Sequence, residues 1–298
     1  MSNAIEFQGV HRHFGEQAVL RGLSFTVAPG QVYALLGRNG AGKTTALRIL
    51  LGFLRPHAGE ARILGLASAT LAPSERERIG YVSEGHRLYL EMRVQEALAF
   101  EAGTRPRFER AAAERELERC GIPRAKRILA LSRGQRAQLA LVLAACGVPE
   151  VLVFDDPAMG LDVVMRRELL NSLIELLATR GCAVLFSSHI LTDVERIAER
   201  VGILHEGTLL VDAPLAELKR RIEKRHWRPT NGAHVPAVEG LLRARRLDGG
   251  FELTLLDLDA RRAAELRAAA QLSERIDLDL EELFLELTTR DSSAEASK

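Results

Sequence analysis

The chain has 298 residues, 47% hydrophobic and 27% charged, a balance that excludes wholesale disorder and allows a sizeable core. Its 41 Lys and Arg against 40 Asp and Glu leave a formal charge of +1, without the positive excess of a general nucleic-acid binder. The longest nearly apolar run, Leu139 to Val148, is half the roughly 20 residues of a membrane-spanning helix, and the N-terminus lacks a secretion-signal pattern.

Ile5–Val10 and Leu20–Val27 alternate apolar and polar residues, which predicts half-buried strands. Val32–Leu36 reads as a buried strand ending at a glycine, and Thr44–Leu51 as a helix stopped by Gly52. From about 88 to 130 the pattern is helical, with helices at Val94–Ala102 and Phe108–Cys120. A third helix, Arg133–Ala145, extends this expected helical subdomain to about residues 88–148. Buried strands follow at Val151–Phe154 and Ala183–Ser187, helices at Val164–Thr179 and Leu191–Arg200, and an edge hairpin at Val201–Val211 turning at Glu206-Gly207. Strands alternating with helices predict an α/β domain with a mainly parallel sheet. Cys120, Cys146 and Cys182 are widely spaced and read as reduced thiols of a cytosolic protein.

Lys219–Arg228 carries six Lys or Arg and one Glu, then Pro229, Asn231 and Gly232. It reads as a solvated helix end running into a basic linker over 219–233, with Trp227 as a candidate surface anchor. Beyond it, Phe251–Leu256 alternates like a strand and Ala260–Gln271 like a helix, giving a small α+β domain over 234–290. Residues 291–298 read as a disordered tail.

Residues 37–44, GRNGAGKT, fit G-x-x-x-x-G-K-[ST] between a strand and a helix. Glycines there let the backbone wrap a phosphate with its N–H groups, and the helix N-terminus adds partial positive charge. Lys43 is placed to reach β- and γ-phosphates and the Thr44 hydroxyl to ligate Mg²⁺. VLVFDD at 151–156 delivers two acids at the carboxyl end of a buried strand, where open parallel sheets place their ligands. Asp155 is expected to hold Mg²⁺ through water, and Asp156 to orient or deprotonate an attacking water.

With these motifs, residues 4 to about 218 resemble the nucleotide-binding subunits of ATP-binding cassette (ABC) transporters. GRNGAGKTT at 37–45 looks like the family's phosphate loop, LSRGQ at 131–135 like its signature, VLVFDDPAMGLD at 151–162 like the second phosphate-site strand and D-loop, and SSH at 187–189 like the switch-histidine segment. The resemblance implies a P-loop NTPase cassette: a RecA-like core, an antiparallel β subdomain and a helical subdomain, here followed by the small α+β domain. It implies that Gly37, Asn39, Gly40, Ala41, Gly42, Lys43, Thr44 and Thr45 cradle ATP, that Phe14 stacks on adenine, and that His189 contacts the γ-phosphate. It further implies that Ser132, Gly134 and Gln135 face ATP held by a second subunit in a head-to-tail dimer, with a homodimer favoured and a heterodimer open. A separate transmembrane permease is the other implied partner, which would hold this chain on the cytoplasmic face of the membrane. No nucleic-acid partner is expected.

Asp156 stands where most of the family has Glu, and Glu84 in GYVSEG stands where Gln usually touches Mg²⁺ and the membrane subunit. Ala158 and Met159 replace small hydroxyl residues, and Val163 a common Pro. Shortening the base by one methylene predicts slow but present hydrolysis. LYLEMRVQEALAF at 88–100 and DLEELFLELT at 279–288 are similar to segments of exporter ATPases, so export is the expected direction.

Overall fold

In the computed structural model, residues 3–229, 235 and 238–289 are described. The expected disordered tail, 291–298, and Asn231 and Gly232 lie outside them. The chain divides into two units, Met1–Asp212 and Ala213–Lys298.

The first unit is organised around six strands in the order β10-β9-β3-β8-β7-β6. They are β3 (Val32–Leu36), β6 (Ile79–Val82), β7 (Val151–Asp155), β8 (Ala183–Ser188), β9 (Arg200–His205) and β10 (Thr208–Pro214). Every residue of β3, β7 and β8 is buried, as the apolar runs require of parallel strands covered on both faces. Parallel pairing sets Leu36 opposite Ser188 and Asp155 opposite Ser187, so three carboxyl ends converge. A second sheet, antiparallel, joins β1 (Ile5–Phe14), β2 (Gln17–Val27), β4 (Ala58–Ile63) and β5 (Leu66–Ala67) in the order β2-β1-β4-β5. Phe25 stacks on Phe7 at 4.6 Å and on Tyr33 of β3 at 4.9 Å, which ties the two sheets into one core.

Helix α1 (Lys43–Leu50) follows β3, and a short turn of helix, α2 (Pro73–Arg76), precedes β6. Helices α3 (Val94–Thr104), α4 (Arg110–Arg119) and α5 (Arg133–Ala145) enclose a separate apolar cluster that includes Val94, Leu98, Leu117, Ile128, Leu139 and Val142. Helices α6 (Val163–Arg180) and α7 (Leu191–Ile197) flank β8. The helix expected to run to Arg200 ends at Ile197 because Arg200 is already paired in β9. Strand β6 carried no sequence signal: it is four residues long, and its second residue is Gly80. A Cβ at Gly80 would come within 2.5 Å of Leu152 Cδ2 and 2.9 Å of Ala144 O, so the glycine allows close approach of β7 and α5.

The second unit has α8 (Leu215–Arg221), then β11 (Ile222–Pro229), β12 (Leu241–Leu247), β13 (Gly250–Leu256) and β14 (Ala270–Leu272), with α9 (Ala260–Ala269) and α10 (Leu280–Thr288). The strand order is β12-β13-β11-β14, antiparallel. This corrects the expected basic linker: residues 222–229 form an inner strand, and Trp227 is fully buried, its Nε1 donating to Leu266 O at 2.9 Å. The charge run misleads because the two charges at its centre, Lys224 and Arg225, are paired rather than solvated. Lys224 meets Glu252, Glu282 and Glu286 within 3.8 Å, and Arg225 meets Glu223 at 2.8 Å. These partners are remote in sequence, apart from Glu223, so no local pattern reports them.

Candidate functional site

The loop between β3 and α1 is shaped by glycine where the chain must pass close to β2. At Gly42 the backbone is left-handed, with φ 110°, and a Cβ would lie 2.8 Å from Leu20 Cδ2 and 3.0 Å from Val19 O. Immediately after it, Lys43 is buried, and its Nζ donates to Gly37 O at 2.6 Å and Arg38 O at 3.2 Å. Burial holds its pKa below the ordinary lysine range, while Asp156, Asp155 and Glu84 pull the other way. A buried ammonium held by two backbone carbonyls at the N-terminus of a helix is placed to receive anionic oxygens.

The two acids of β7 have different settings. Asp155 is 2% exposed, and its Oδ1 accepts from Thr44 Oγ1 at 2.9 Å and from Ser187 Oγ at 3.0 Å. Asp156 turns the chain out of the strand with φ 47°, a left-handed backbone that costs a non-glycine residue on the order of 1 kcal/mol. Its N–H donates to Ser187 Oγ at 3.1 Å and to Ser187 O at 3.2 Å. Its Oδ2 is hydrogen-bonded to His189 Nδ1, while Oδ1 is buried without a hydrogen-bond partner among the described residues. Burial raises its pKa, against the pull of His189 and Lys43.

These groups share one cavity of about 640 Å³, lined by Asn39, Gly40, Gly42, Lys43, Thr44, Thr45, Glu84, Asp155, Asp156 and His189, together with Gln17, Val19, Met159 and Ser187. The sequence reading thus found most of the lining. It missed Gln17 and Val19, which β2 brings in from the other sheet, and the role of Ser187 as a link between the two acids. Gly37 and Ala41 shape the loop without lining the cavity. Phe14 does not line it either: it ends β1, is 49% exposed, and has the Arg12 guanidinium 4.7 Å from its ring centroid.

Glu84 also borders a neighbouring groove of about 610 Å³ between the sheet and the helices, with Phe53, Tyr81, Tyr89, Met92 and Phe100 on its walls. Ser132, Gly134 and Gln135 stand apart from the Lys43 cavity. They line a different hollow with Met165 and Glu168 at the start of α5. There the Ser132 hydroxyl accepts from Gln135 N at 3.1 Å while Gln135 Oε1 accepts from Ser132 N at 3.2 Å, a reciprocal cap that fixes the helix start.

Among known proteins, a family described as "ABC transporter" matches residues 20–159. The bacitracin transport ATP-binding protein BcrA of Bacillus licheniformis is 33% identical over 75% of this chain and 74% of its own length. The Nod factor export ATP-binding protein I of Rhizobium johnstonii is 33% identical over 97% of this chain and 96% of its own. A solved ATP-binding subunit of an ABC transporter superposes with a TM-score of 0.65 at 29% identity, covering 73% of this chain and 92% of that one. The phosphate loop, the paired acids and these relationships agree: the chain belongs to the ABC transporter family, as one of its ATP-binding subunits.

Proposed function

We propose that this chain hydrolyses Mg-ATP as one half of a head-to-tail dimer and thereby powers export through a separate membrane permease. The observation that carries the reading is the separation just described: Lys43, Thr44, Asp155, Asp156 and His189 share one cavity, and Ser132, Gly134 and Gln135 lie on another surface of the same chain. A γ-phosphate in the first would need the helix start of a second copy's α5 to complete its cage of N–H donors. ATP then acts as the joint between two copies.

Thr44 Oγ1 and Asp155 Oδ1 meet at 2.9 Å and Glu84 lines the same cavity, a set of hard oxygens that would hold Mg²⁺ together with phosphate and water. Among the described residues no cluster of three or more His, Cys, Asp or Glu could hold a metal alone. When bound, Mg²⁺ supplies charge neutralisation for the phosphates. Lys43 would exchange its Gly37 and Arg38 carbonyls for phosphate oxygens. His189 would leave Asp156 to meet the γ-phosphate, which frees the Asp156 carboxylate to accept a proton from the attacking water.

Because Asp156 is short, tied to His189 and largely buried, hydrolysis is slow in the isolated chain. The same observation favours a second reading, a nucleotide-gated module with weak turnover. Asp156→Asn is expected to abolish turnover while leaving ATP binding intact. Parental turnover in that variant would remove Asp156 from the mechanism.

A permease contact is supported by the apolar groove beside Glu84, where Phe53 is 61% exposed and Tyr89 66%. No helix among the described residues is long and apolar enough to cross a membrane. Docking there would hold the chain on the cytoplasmic face. Export as the direction rests on the relatives, which are named for bacitracin transport and Nod factor export. Affinity purification from membranes, with Phe53→Ser/Tyr89→Ser as control, tests the reading. A polytopic membrane protein should co-purify with the parent and be lost from the double variant, whose own ATP turnover persists. Retention by the double variant would exclude this groove.

A further inference from the structure

His86, which lines the groove beside Glu84, and Asp156, which lines the Lys43 cavity, both turn the chain with left-handed backbones, at φ 50° and φ 47°. One hydrogen bond joins their turns, with His86 Nε2 lying 2.6 Å from Pro157 O. A carbonyl only accepts, so Nε2 carries the proton and donates. The ring is 6% exposed.

Each partner of this bond is anchored on its far side. Behind His86, its own N–H donates to Ser83 O at 3.0 Å and Arg87 N–H donates to Ser83 Oγ at 3.2 Å, a closed turn that contains Glu84. Ahead of Pro157, Asp156 N–H is held by Ser187. Pro157 has no N–H, so its carbonyl is the one backbone group at that residue able to fix the turn by a hydrogen bond. Left-handed backbones outside glycine persist only where their surroundings over-determine them. Here Ser187 grips the Asp156 turn before the carboxylate and His86 grips it after.

We propose that His86 is a positioning residue for hydrolysis: its hydrogen bond to Pro157 O ties the turn carrying Glu84 to the turn carrying Asp156 and fixes the distance between the two carboxylates. The inference rests on the reading of Asp156 as the base. A ring that merely filled space would not need its Nε2, and a merely polar residue of another length would not reach Pro157.

That difference gives the test. In the full chain, His86→Gln sets an amide nitrogen about where Nε2 lies, whereas His86→Asn is one methylene short. Asn adopts a left-handed backbone more readily than Gln, so a purely structural role ranks Asn above Gln. Positioning ranks them the other way. With misplacements near 1 Å costing on the order of 100-fold, His86→Asn should lose roughly tenfold or more in kcat while His86→Gln stays within about threefold of the parent. KM for ATP should stay unchanged in both, since Lys43 and Thr44 are untouched, and thermal midpoints are measured alongside. Turnover by His86→Asn equal to or above His86→Gln, or a loss appearing in KM alone, would overturn the proposal. Parental turnover in Asp156→Asn would overturn the base reading and this inference with it. A dead Asp156→Asn beside a fully active His86→Asn would sink this inference only.

Discussion

Replacing Asp156 by Glu puts a number on the reach of the proposed base. The extra methylene carries the carboxylate about 1.5 Å further from the backbone. That extension has a direction: the Asp156 turn is gripped at its N–H by Ser187, so added side-chain length extends outward from a fixed backbone. With 1 Å misplacements worth on the order of 100-fold, kcat should rise roughly tenfold or more. The gain is not free of cost, because Glu tolerates φ 47° less well than Asp. A penalty of about 1 kcal/mol corresponds to a fall in melting temperature of about 2–4 °C for a domain of this size. Phosphate release at saturating Mg-ATP and a thermal melt read both quantities. A faster, slightly less stable variant with unchanged KM is the expected result. An Asp156→Glu protein with parental or lower kcat and an unchanged melt would refute the argument that reach limits the reaction.

Further predictions concern both units. Thr44→Ala removes one of two donors to the buried Asp155 Oδ1, and losing a hydrogen bond to a charged group costs about 1.5–3 kcal/mol. Turnover should fall at least tenfold, with part of the loss restored by raised Mg²⁺; a variant with parental turnover and Mg²⁺ dependence would contradict the proposed ion site. In the second unit, burial alone would lower the Lys224 pKa, but Glu252, Glu282 and Glu286 outweigh it and raise it above 10.5. A lysine raised on folding contributes stability that is fully present below its unfolded pKa and is lost as pH rises through the folded one. The Lys224-dependent part of the stability should therefore be flat from neutral pH to about 10 and fall away as the pH rises beyond that through the raised folded pKa, as denaturant melts of parent and Lys224→Met across pH can show. Trp227, the one tryptophan of the chain, is fully buried. Trp227→Ala should cost the second unit about 3–5 kcal/mol, and native emission of the parent should be that of an apolar site. Water-like emission before unfolding would contradict the inner-strand placement.

Legibility in the sequence followed locality. Arg133–Ala145 and Val32–Leu36 were readable to the residue, because a capping Ser132 and a run of five buried positions are local signals. The phosphate loop and the DD pair were readable for the same reason. Strand β6 was not, since Gly80 serves a contact with Leu152 and Ala144 that no neighbouring residue announces. Strand β11 was misread because Lys224 and Arg225 look solvated until acids from β13 and α10 and the neighbouring Glu223 are brought against them. Within the site, Gln17 and Val19 arrive from a separate sheet, and His86 bonds to the carbonyl of Pro157, 71 residues further along the chain. Such contacts exist only once the chain has folded.

A catalytic site completed by a second copy makes a pair of complementary variants decisive. Lys43→Ala spoils the phosphate loop and leaves the signature intact, while Ser132→Arg does the reverse. Each variant alone should fail to turn over ATP. In a randomly mixed pair, half the dimers are mixed and one of the two sites in each is intact, so turnover should return to about a quarter of the parental rate. A mixture as inactive as its components, or a Ser132→Arg chain active on its own, would contradict the composite site.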